Sequence, residues 1–180
     1  KVIVAQERQI ENKVYINENK PDERYKFNSE IRSAPENKFQ PARITKCFIL
    51  NSKNTPAETI EEDVIRVSIP NINGEIPLFI VFRALGIITD LDICNTIVDN
   101  IESPIGKKII EFLEPTIKEG YLINNQVNAL RYLESKISSS FMTPSIDKNT
   151  RLNYLLHILR DYFLPHCGGN NYEKSYYLGY

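Results

Sequence analysis

The hydrophobic pattern of the chain changes at the segment IPLFIVFRALG, residues 76–86. Proline suits the first turn of a helix, and glycine suits the left-handed residue just after one. Pro77 and Gly86 therefore bracket a predicted helix over residues 78–85, although its β-branched residues leave a buried strand open. The pattern before this segment is typical of strands, and the pattern after it is typical of helices.

The first third of the chain predicts strands, since apolar and polar residues alternate with the period of a half-solvated strand. The alternation is clearest at Ile65, Val67 and Ile69, which are separated by polar residues. We also predict a turn at residues 11–12 and a surface loop over residues 51–63. The other apolar strand positions are Val2, Val4, Val14, Ile16, Tyr25, Phe27, Ile31, Ile44, Phe48 and Leu50.

Start and stop signals for helices recur after residue 86. Thr89, Ser103-Pro104 and either Asn124 or Asn125 are start signals, and Gly120 is a stop signal. The first two predicted helices contain Leu91, Cys94, Ile97 and Val98, and then Ile109, Leu113 and Ile117. The next has Val127, Leu130, Leu133 and Ile137 on one face, and the last has the amphipathic stripe Leu152, Leu155, Leu156, Leu159 and Phe163. Residues 138–150 are polar and predict a loop. Strands followed by helices predict an α+β fold, with an N-terminal antiparallel or mixed sheet and a helical second half.

Composition limits the class of protein. The chain has 180 residues, 42% of them hydrophobic, which is enough for one folded domain with a core. Its formal net charge is -1, whereas a chain that binds nucleic acid by itself is usually basic. Any contact with DNA must therefore come from a local patch. The longest apolar run, residues 76–88, is too short to span a bilayer and contains Arg83, so no membrane partner is expected.

The chemistry-bearing residues do not form a recognisable catalytic or metal motif. The candidate metal ligands lack the CxxC or HxxxH spacing of a zinc site, and no GxSxG or GxGxxG pattern is present. These ligands are Cys47, Cys94, Cys167, His157 and His166. An odd number of widely spaced cysteines argues against a disulfide framework and favours a reducing compartment. We expect no metal, no cofactor and no catalytic centre. The first residue is Lys1 rather than Met and no secretory signal follows, so we expect a fragment of a longer chain.

Basic residues on the predicted strands are the candidate nucleic-acid contacts. Lysine and arginine on exposed strand faces can contact phosphates without reading bases. Acidic residues are interspersed, so ordinary solvation of these charges stays open as an alternative. The cluster consists of Arg32, Lys38, Arg43 and Lys46, with Glu30 just before it and Glu36 within it.

Arg83 lies within an otherwise apolar predicted helix. An isolated buried charge is costly, so this guanidinium needs a partner or a route to solvent. We predict a structural ion pair, with Glu75, Asp90 or Asp92 as the partner.

Five segments in order give the chain a family resemblance. They are KVIVAQE at residues 1–7, EIRSA at 30–34, IPLFIVFRALG at 76–86, LPH at 164–166 and YLGY at 177–180. In this order and spacing, the chain resembles the second-largest subunit of multisubunit DNA-dependent RNA polymerases, with the polymerase II type the most similar. The bias toward Ile, Asn and Lys favours a large DNA virus or a protist as the source.

The resemblance implies that residues 13–172 form the lobe domain, residues 1–12 a flank from the protrusion domain, and residues 173–180 the start of the return to it. The lobe would form one wall of the downstream DNA cleft. Lys1 and Arg32 are then the first expected nucleic-acid contacts, with Lys38 and Arg43 next. Many relatives have arginine where Gln40 stands, which weakens the case for a contact there.

The resemblance also implies the partners and the compartment. The partners would be the largest subunit, other polymerase subunits, downstream DNA and an initiation factor of the TFIIF type. The magnesium of the whole polymerase would be held by the largest subunit. The location would be intracellular: the virion or host cytoplasm for a viral protein and the nucleus for a cellular one. An inserted domain has its ends close together, so residues 1–6 should lie near residues 176–180.

Two other functions remain open at this point. The chain could be an interaction module that docks a TFIIF-like factor with little DNA contact. It could also be an unrelated small enzyme, which a deep polar pocket with convergent His, Cys and carboxylate groups would indicate.

Overall fold

The fold of this computed structural model is α+β, as predicted, with strands in the first part and helices in the second. The structure describes residues 3–9, 15–17, 20–21, 25–33, 43–52, 62–138 and 148–164. The strands are β1 (Ile3–Gln9), β2 (Tyr15–Asn17), β3 (Lys20–Pro21), β4 (Tyr25–Ser33), β5 (Arg43–Ser52), β6 (Glu62–Ser68) and β7 (Ile76–Pro77). The helices are α1 (Leu78–Ala84), α2 (Asp90–Ile97), α3 (Pro104–Gly120), α4 (Gln126–Ser135) and α5 (Lys148–Asp161).

The main sheet has the strand order β1-β4-β5-β6-β7, and every neighbouring pair is antiparallel. Strands β2 and β3 form a separate two-stranded sheet. Glu30 of β4 lies opposite Lys46 of β5, and Cys47 of β5 lies opposite Val67 of β6. Because successive side chains of a strand point to opposite faces, Glu30 and Lys46 share one face, and Cys47 and Val67 share the other.

The helices cover the sheet face of Cys47 and Val67. Their buried side chains form the main hydrophobic core with Val67, and Cys47 packs against it. This core contains Ile80, Val81 and Ala84 of α1, Ala129 and Leu133 of α4, and Leu155, Ile158 and Leu159 of α5. Burying one such aliphatic side chain contributes about 1.5–3 kcal/mol, so this shared core holds the sheet and the helices together.

Local capping residues set the helix boundaries as the sequence predicts. Thr89 caps α2 by accepting from the Asp92 amide at 3.1 Å. Ser103 caps α3 and Asn125 caps α4, each accepting from the amide three residues later at 2.9 Å. Gly86 follows α1 with φ +96°, a conformation that glycine adopts without strain.

Helix α3 covers the edge of β6 that the short strand β7 leaves open. Strand β7 pairs only with Arg66 and Val67, so the preceding Ile65 amide has no partner in β7. The hydroxyl of Thr116, which is fully buried on α3, accepts from that amide at 3.0 Å. One turn further along α3, Glu119 pairs with the guanidinium of Arg66. These two contacts fix α3 against the sheet.

Some predicted burial was wrong, because tertiary neighbours decide which face of an element is covered. In β6 Val64, which is outside the predicted alternation, is buried as well as Val67, while Ile65 is only half-buried. Val127, predicted on the apolar face of α4, is 58% exposed, and the apolar Leu91 of α2 is 66% exposed as well. Helix α5 begins at Lys148, within the loop predicted for residues 138–150.

The predicted turn at residues 11–12 and the predicted approach of the two chain ends lie outside the described residues. Among the helices of the described segments, none combines the length and the apolar character needed to cross a membrane.

Candidate nucleic-acid interface

An ion-pair triad lies on the sheet face opposite to the one that Cys47 and Val67 share. Glu30 faces Lys46 across the β4–β5 ladder, and Arg32 lies two residues along β4 on the same face. The Glu30 Oε2 atom accepts from Arg32 Nε at 3.1 Å and from Arg32 Nη2 at 2.9 Å. The Lys46 Nζ atom lies 2.8 Å from Glu30 Oε1. The strand register therefore joins three charges that are up to 16 residues apart in sequence.

The two cations of the triad reach solvent while the carboxylate lies deeper. The side chains of Arg32 and Lys46 are 52% and 39% exposed, and that of Glu30 is 13% exposed. Hydrogen bonds from Lys46 and Arg32 lower the pKa of Glu30 below its ordinary value. Glu30 is therefore ionised at neutral pH, and the triad carries a net charge of about +1. The triad exposes two cationic hydrogen-bond donors to solvent, and such donors suit a phosphate group.

Further along the same face, Arg66 does not add to this exposed charge. It lies opposite Phe48 in the β5–β6 register, and its guanidinium pairs with Glu119 of α3. The side chains of Arg66 and Glu119 are 23% and 13% exposed. This pair serves the packing of α3 against the sheet.

Arg43 does not share the face of Arg32. In the β4–β5 register Arg32 lies opposite Ile44, so Arg43 points to the face that the helices cover. Its guanidinium lies 4.1 Å from the centre of the Tyr162 ring, just beyond α5. A cation stacked on an aromatic ring in this way ties β5 to the end of α5. Lys1 and Lys38, the other predicted nucleic-acid contacts, lie outside the described residues.

Arg83 is buried and joins three helices. Its side chain is 3% exposed and its Nη2 atom pairs with the Asp90 carboxylate, one of the three partners considered from the sequence. Its Nη1 atom donates to the carbonyl oxygens of Gly120 at 2.6 Å and Ile123 at 2.9 Å. Its Nε atom donates to the carbonyl oxygen of Ile88 at 3.3 Å. Arg83 of α1 thus links the start of α2 to the end of α3.

Glycine at position 120 leaves room for this arrangement. A Cβ atom at Gly120 would lie 3.0 Å from the Cβ of Phe79 and 3.1 Å from Arg83 Nη1. Both distances are shorter than ordinary van der Waals contact, so a larger residue would push α3 away from α1. The stop signal read from the sequence therefore has a packing role as well.

The described residues do not assemble a metal site or an activated nucleophile. They contain no group of three or more His, Cys, Asp or Glu residues placed to hold a metal ion. Burial raises the pKa of the Cys47 thiol to about 11, and burial also raises that of Cys94, so both stay protonated at neutral pH. His157 pairs with Asp161 on the surface of α5, beside a shallow depression of about 250 Å³. Cys167 and His166 lie outside the described residues.

The sequence named Arg32 but missed its link to Lys46 through Glu30. An acidic and a basic residue two positions apart on one strand are a signal that they share a face. The β4–β5 register brings Lys46 next to Glu30. This register depends on pairing between distant residues, so the local sequence pattern does not predict it.

Comparison with known proteins gives the family. The chain is 33% identical to DNA-directed RNA polymerase II subunit 2 of Arabidopsis thaliana, over all of this chain and 15% of that protein. It is 33% identical to subunit RPB2 of the polymerase II of Encephalitozoon cuniculi and 27% identical to subunit Rpo2 of the polymerase of Saccharolobus shibatae. In both cases the match covers all of this chain and 14% of the relative.

The chain therefore spans about one seventh of the length of these relatives. The resemblance read from the five segments is confirmed, while the viral or protist source stays a prediction. The family model described as RNA polymerase Rpb2, domain 2, matches residues 10–180. The chain belongs to this family, which is domain 2 of the RNA polymerase subunit Rpb2.

Proposed function

We propose that this chain is the lobe of the second-largest subunit of a DNA-directed RNA polymerase, and that it forms one wall of the downstream DNA cleft. The observation that carries the proposal is the outward-facing pair of Arg32 and Lys46 on the sheet face opposite the helical core. Exposed cations of this kind hold the DNA backbone through its phosphates and do not read its sequence.

In this role the chain is not catalytic by itself. The magnesium of the polymerase is held by the largest subunit, which is a partner together with other polymerase subunits and downstream DNA. A net charge of -1 suits a part whose affinity for DNA comes from the whole assembly. Residues 13–172 form the lobe, with residues 1–12 and 173–180 as flanks from the protrusion domain. The assembly works inside the cell or, for a viral source, in the virion as well.

A second candidate function is docking of an initiation factor of the TFIIF type. It is favoured by an apolar stripe on α3 that the described part of the chain leaves uncovered. Ile105, Ile109 and Phe112 are 72%, 36% and 40% exposed, and their spacing puts them on one side of the helix. Apolar residues exposed at this spacing suit a protein partner. The stripe and the Arg32–Lys46 pair lie on different elements, so one domain could carry both functions.

The test is an assembled polymerase that carries Arg32→Gln in this subunit. We expect a shorter lifetime of the open promoter complex, and a dependence on salt that is shallower by about one unit of log–log slope, since one phosphate contact is lost. Lys107→Gln is the matched control, because Lys107 is an exposed cation paired with Glu102 on the helical half.

An unchanged lifetime and salt slope for both Arg32→Gln and Lys46→Gln would overturn the cleft-wall function. The docking function predicts instead that Phe112→Ser weakens binding of the factor to the assembled polymerase, while the lifetime of factor-free complexes stays unchanged.

A further inference from the structure

We propose that Glu30 competes with the DNA phosphate for Arg32 and Lys46, which keeps the contact weak and lets the DNA backbone move past this wall. The inference rests on the proposed function and assigns a regulatory part to the carboxylate of the same triad. Its ligand is a phosphate of the DNA backbone.

The geometry shows that both cations already have an anionic partner. One oxygen of Glu30 accepts two hydrogen bonds from Arg32, and the other lies within hydrogen-bond distance of Lys46 Nζ. The Glu30 side chain is 13% exposed, whereas those of Arg32 and Lys46 are 52% and 39% exposed. A phosphate that approaches from solvent therefore has more of the two cations than of the carboxylate to contact.

The N–H groups that Arg32 donates to Glu30 are also groups that could bind a phosphate. Arginine binds carboxylate or phosphate through parallel N–H groups on one edge of the guanidinium. The edge formed by Nε and Nη2 of Arg32 is taken by Glu30. A phosphate must either displace the carboxylate from this edge or bind through the remaining N–H groups. When it leaves, the carboxylate takes its place again, so neither cation is left without a partner.

The same geometry also allows the opposite role, in which Glu30 favours binding of the phosphate. Glu30 could hold the two cations in place and so prepare them for the phosphate, because ordering long side chains in advance reduces the entropy lost on binding. The two roles give opposite signs on removal of the carboxylate charge: competition predicts tighter binding of DNA, and preparation predicts weaker binding. The occupied edge of Arg32 and the ionised state of Glu30 favour competition.

The test compares assembled polymerases with Glu30→Gln and Glu102→Gln in this subunit. The first variant removes the carboxylate charge without changing its shape, and the second does the same at the exposed Lys107–Glu102 pair of the helical half. For Glu30→Gln we expect a several-fold longer open-complex lifetime and a salt dependence steeper by up to about one unit of log–log slope. For Glu102→Gln we expect neither change. Subunit ratios of the purified enzymes check that assembly is intact.

The origin of the effect is tested in a background with both Arg32→Gln and Lys46→Gln, where adding Glu30→Gln should not lengthen the lifetime. Glu30→Ala serves as a second variant, because alanine cannot hydrogen-bond to either cation. If lifetimes shorten or stay the same while Arg32→Gln alone shortens them, competition is overturned and the cleft-wall function stands. If Arg32→Gln and Lys46→Gln are both without effect, the cleft-wall function fails and the inference fails with it.

Discussion

Among single residues, Arg83 shows how the fold accommodates a buried charge. It is buried, and the structure gives it a carboxylate and three backbone carbonyl oxygens as partners. Two of those carbonyls, from Gly120 and Ile123, belong to the end of α3 and the turn that follows it. Helix C-terminal carbonyls lack partners within the helix and carry partial negative charge. A buried cation at this end of α3 is therefore stabilised by the fold around it.

We expect Arg83→Met to destabilise the domain by about 3–5 kcal/mol, because the substitution leaves buried polar partners without a donor. Arg83→Lys should cost nearly as much, since a single ammonium group cannot reach carbonyls on several sides. Asp90→Asn is the comparison variant and should cost less, because the Asp90 side chain is 43% exposed and water can replace it. Urea unfolding of the three variants measures the differences. A cost below 1 kcal/mol for Arg83→Lys would contradict the geometric argument.

At the scale of elements, α3 replaces a missing strand at the edge of β6. An open sheet edge leaves backbone groups without partners, and proteins cover such edges with helices or loops. Here the cover includes the Thr116 hydroxyl, which accepts from the Ile65 amide in a fully buried position. The Arg66–Glu119 pair fixes the same helix one turn further on. The side chains that make this cover are separated from β6 by about 50 residues in sequence.

We expect Thr116→Val to destabilise the domain by about 1–3 kcal/mol, because it keeps the shape but leaves the Ile65 amide without an acceptor. Hydrogen exchange at the Ile65 amide should become faster than at its neighbours in β6. Thr116→Ser keeps the hydroxyl and should leave that exchange rate close to the original. Equal exchange rates in the Val and Ser variants would show that the Thr116 hydroxyl does not protect the Ile65 amide from exchange.

The elements also show what the sequence can and cannot predict. Thr89 and Ser103 mark helix starts correctly, and Asn125 is one of the two residues predicted for the start of α4, because a cap is formed within four residues of the chain. Leu91 and Val127 are exposed although they are apolar, because burial depends on which elements come to lie beside α2 and α4. The same limit applies to the candidate site: the Glu30–Arg32 spacing is local, and the addition of Lys46 needs the β4–β5 register.

At the scale of the whole molecule, the sheet and the helices share one core and should unfold together. Cys47 of β5 packs against the main core, which α1, α4 and α5 help to form. Cys94 of α2 lies in a second cluster with Phe79, Ile87 and Ile93, and Phe79 comes from α1 as well. Helix α1 therefore belongs to both clusters. We therefore expect the domain to unfold as a single cooperative unit, as small single domains usually do.

The two described cysteines can report on this cooperativity in a Cys167→Ser variant. In the folded state burial raises the pKa of Cys47 to about 11 from an ordinary value of 9.0, so its reactive thiolate is scarce at pH 8. Unfolding restores the ordinary pKa and should raise the thiolate fraction of Cys47 by roughly 100-fold. We expect Cys47 and Cys94 to become reactive at the same urea concentration, as read by mass spectrometry of both labelled peptides in one sample. If Cys47 reacted at a clearly lower concentration than Cys94, the sheet would unfold before the helices and the shared core would not be the main link between them.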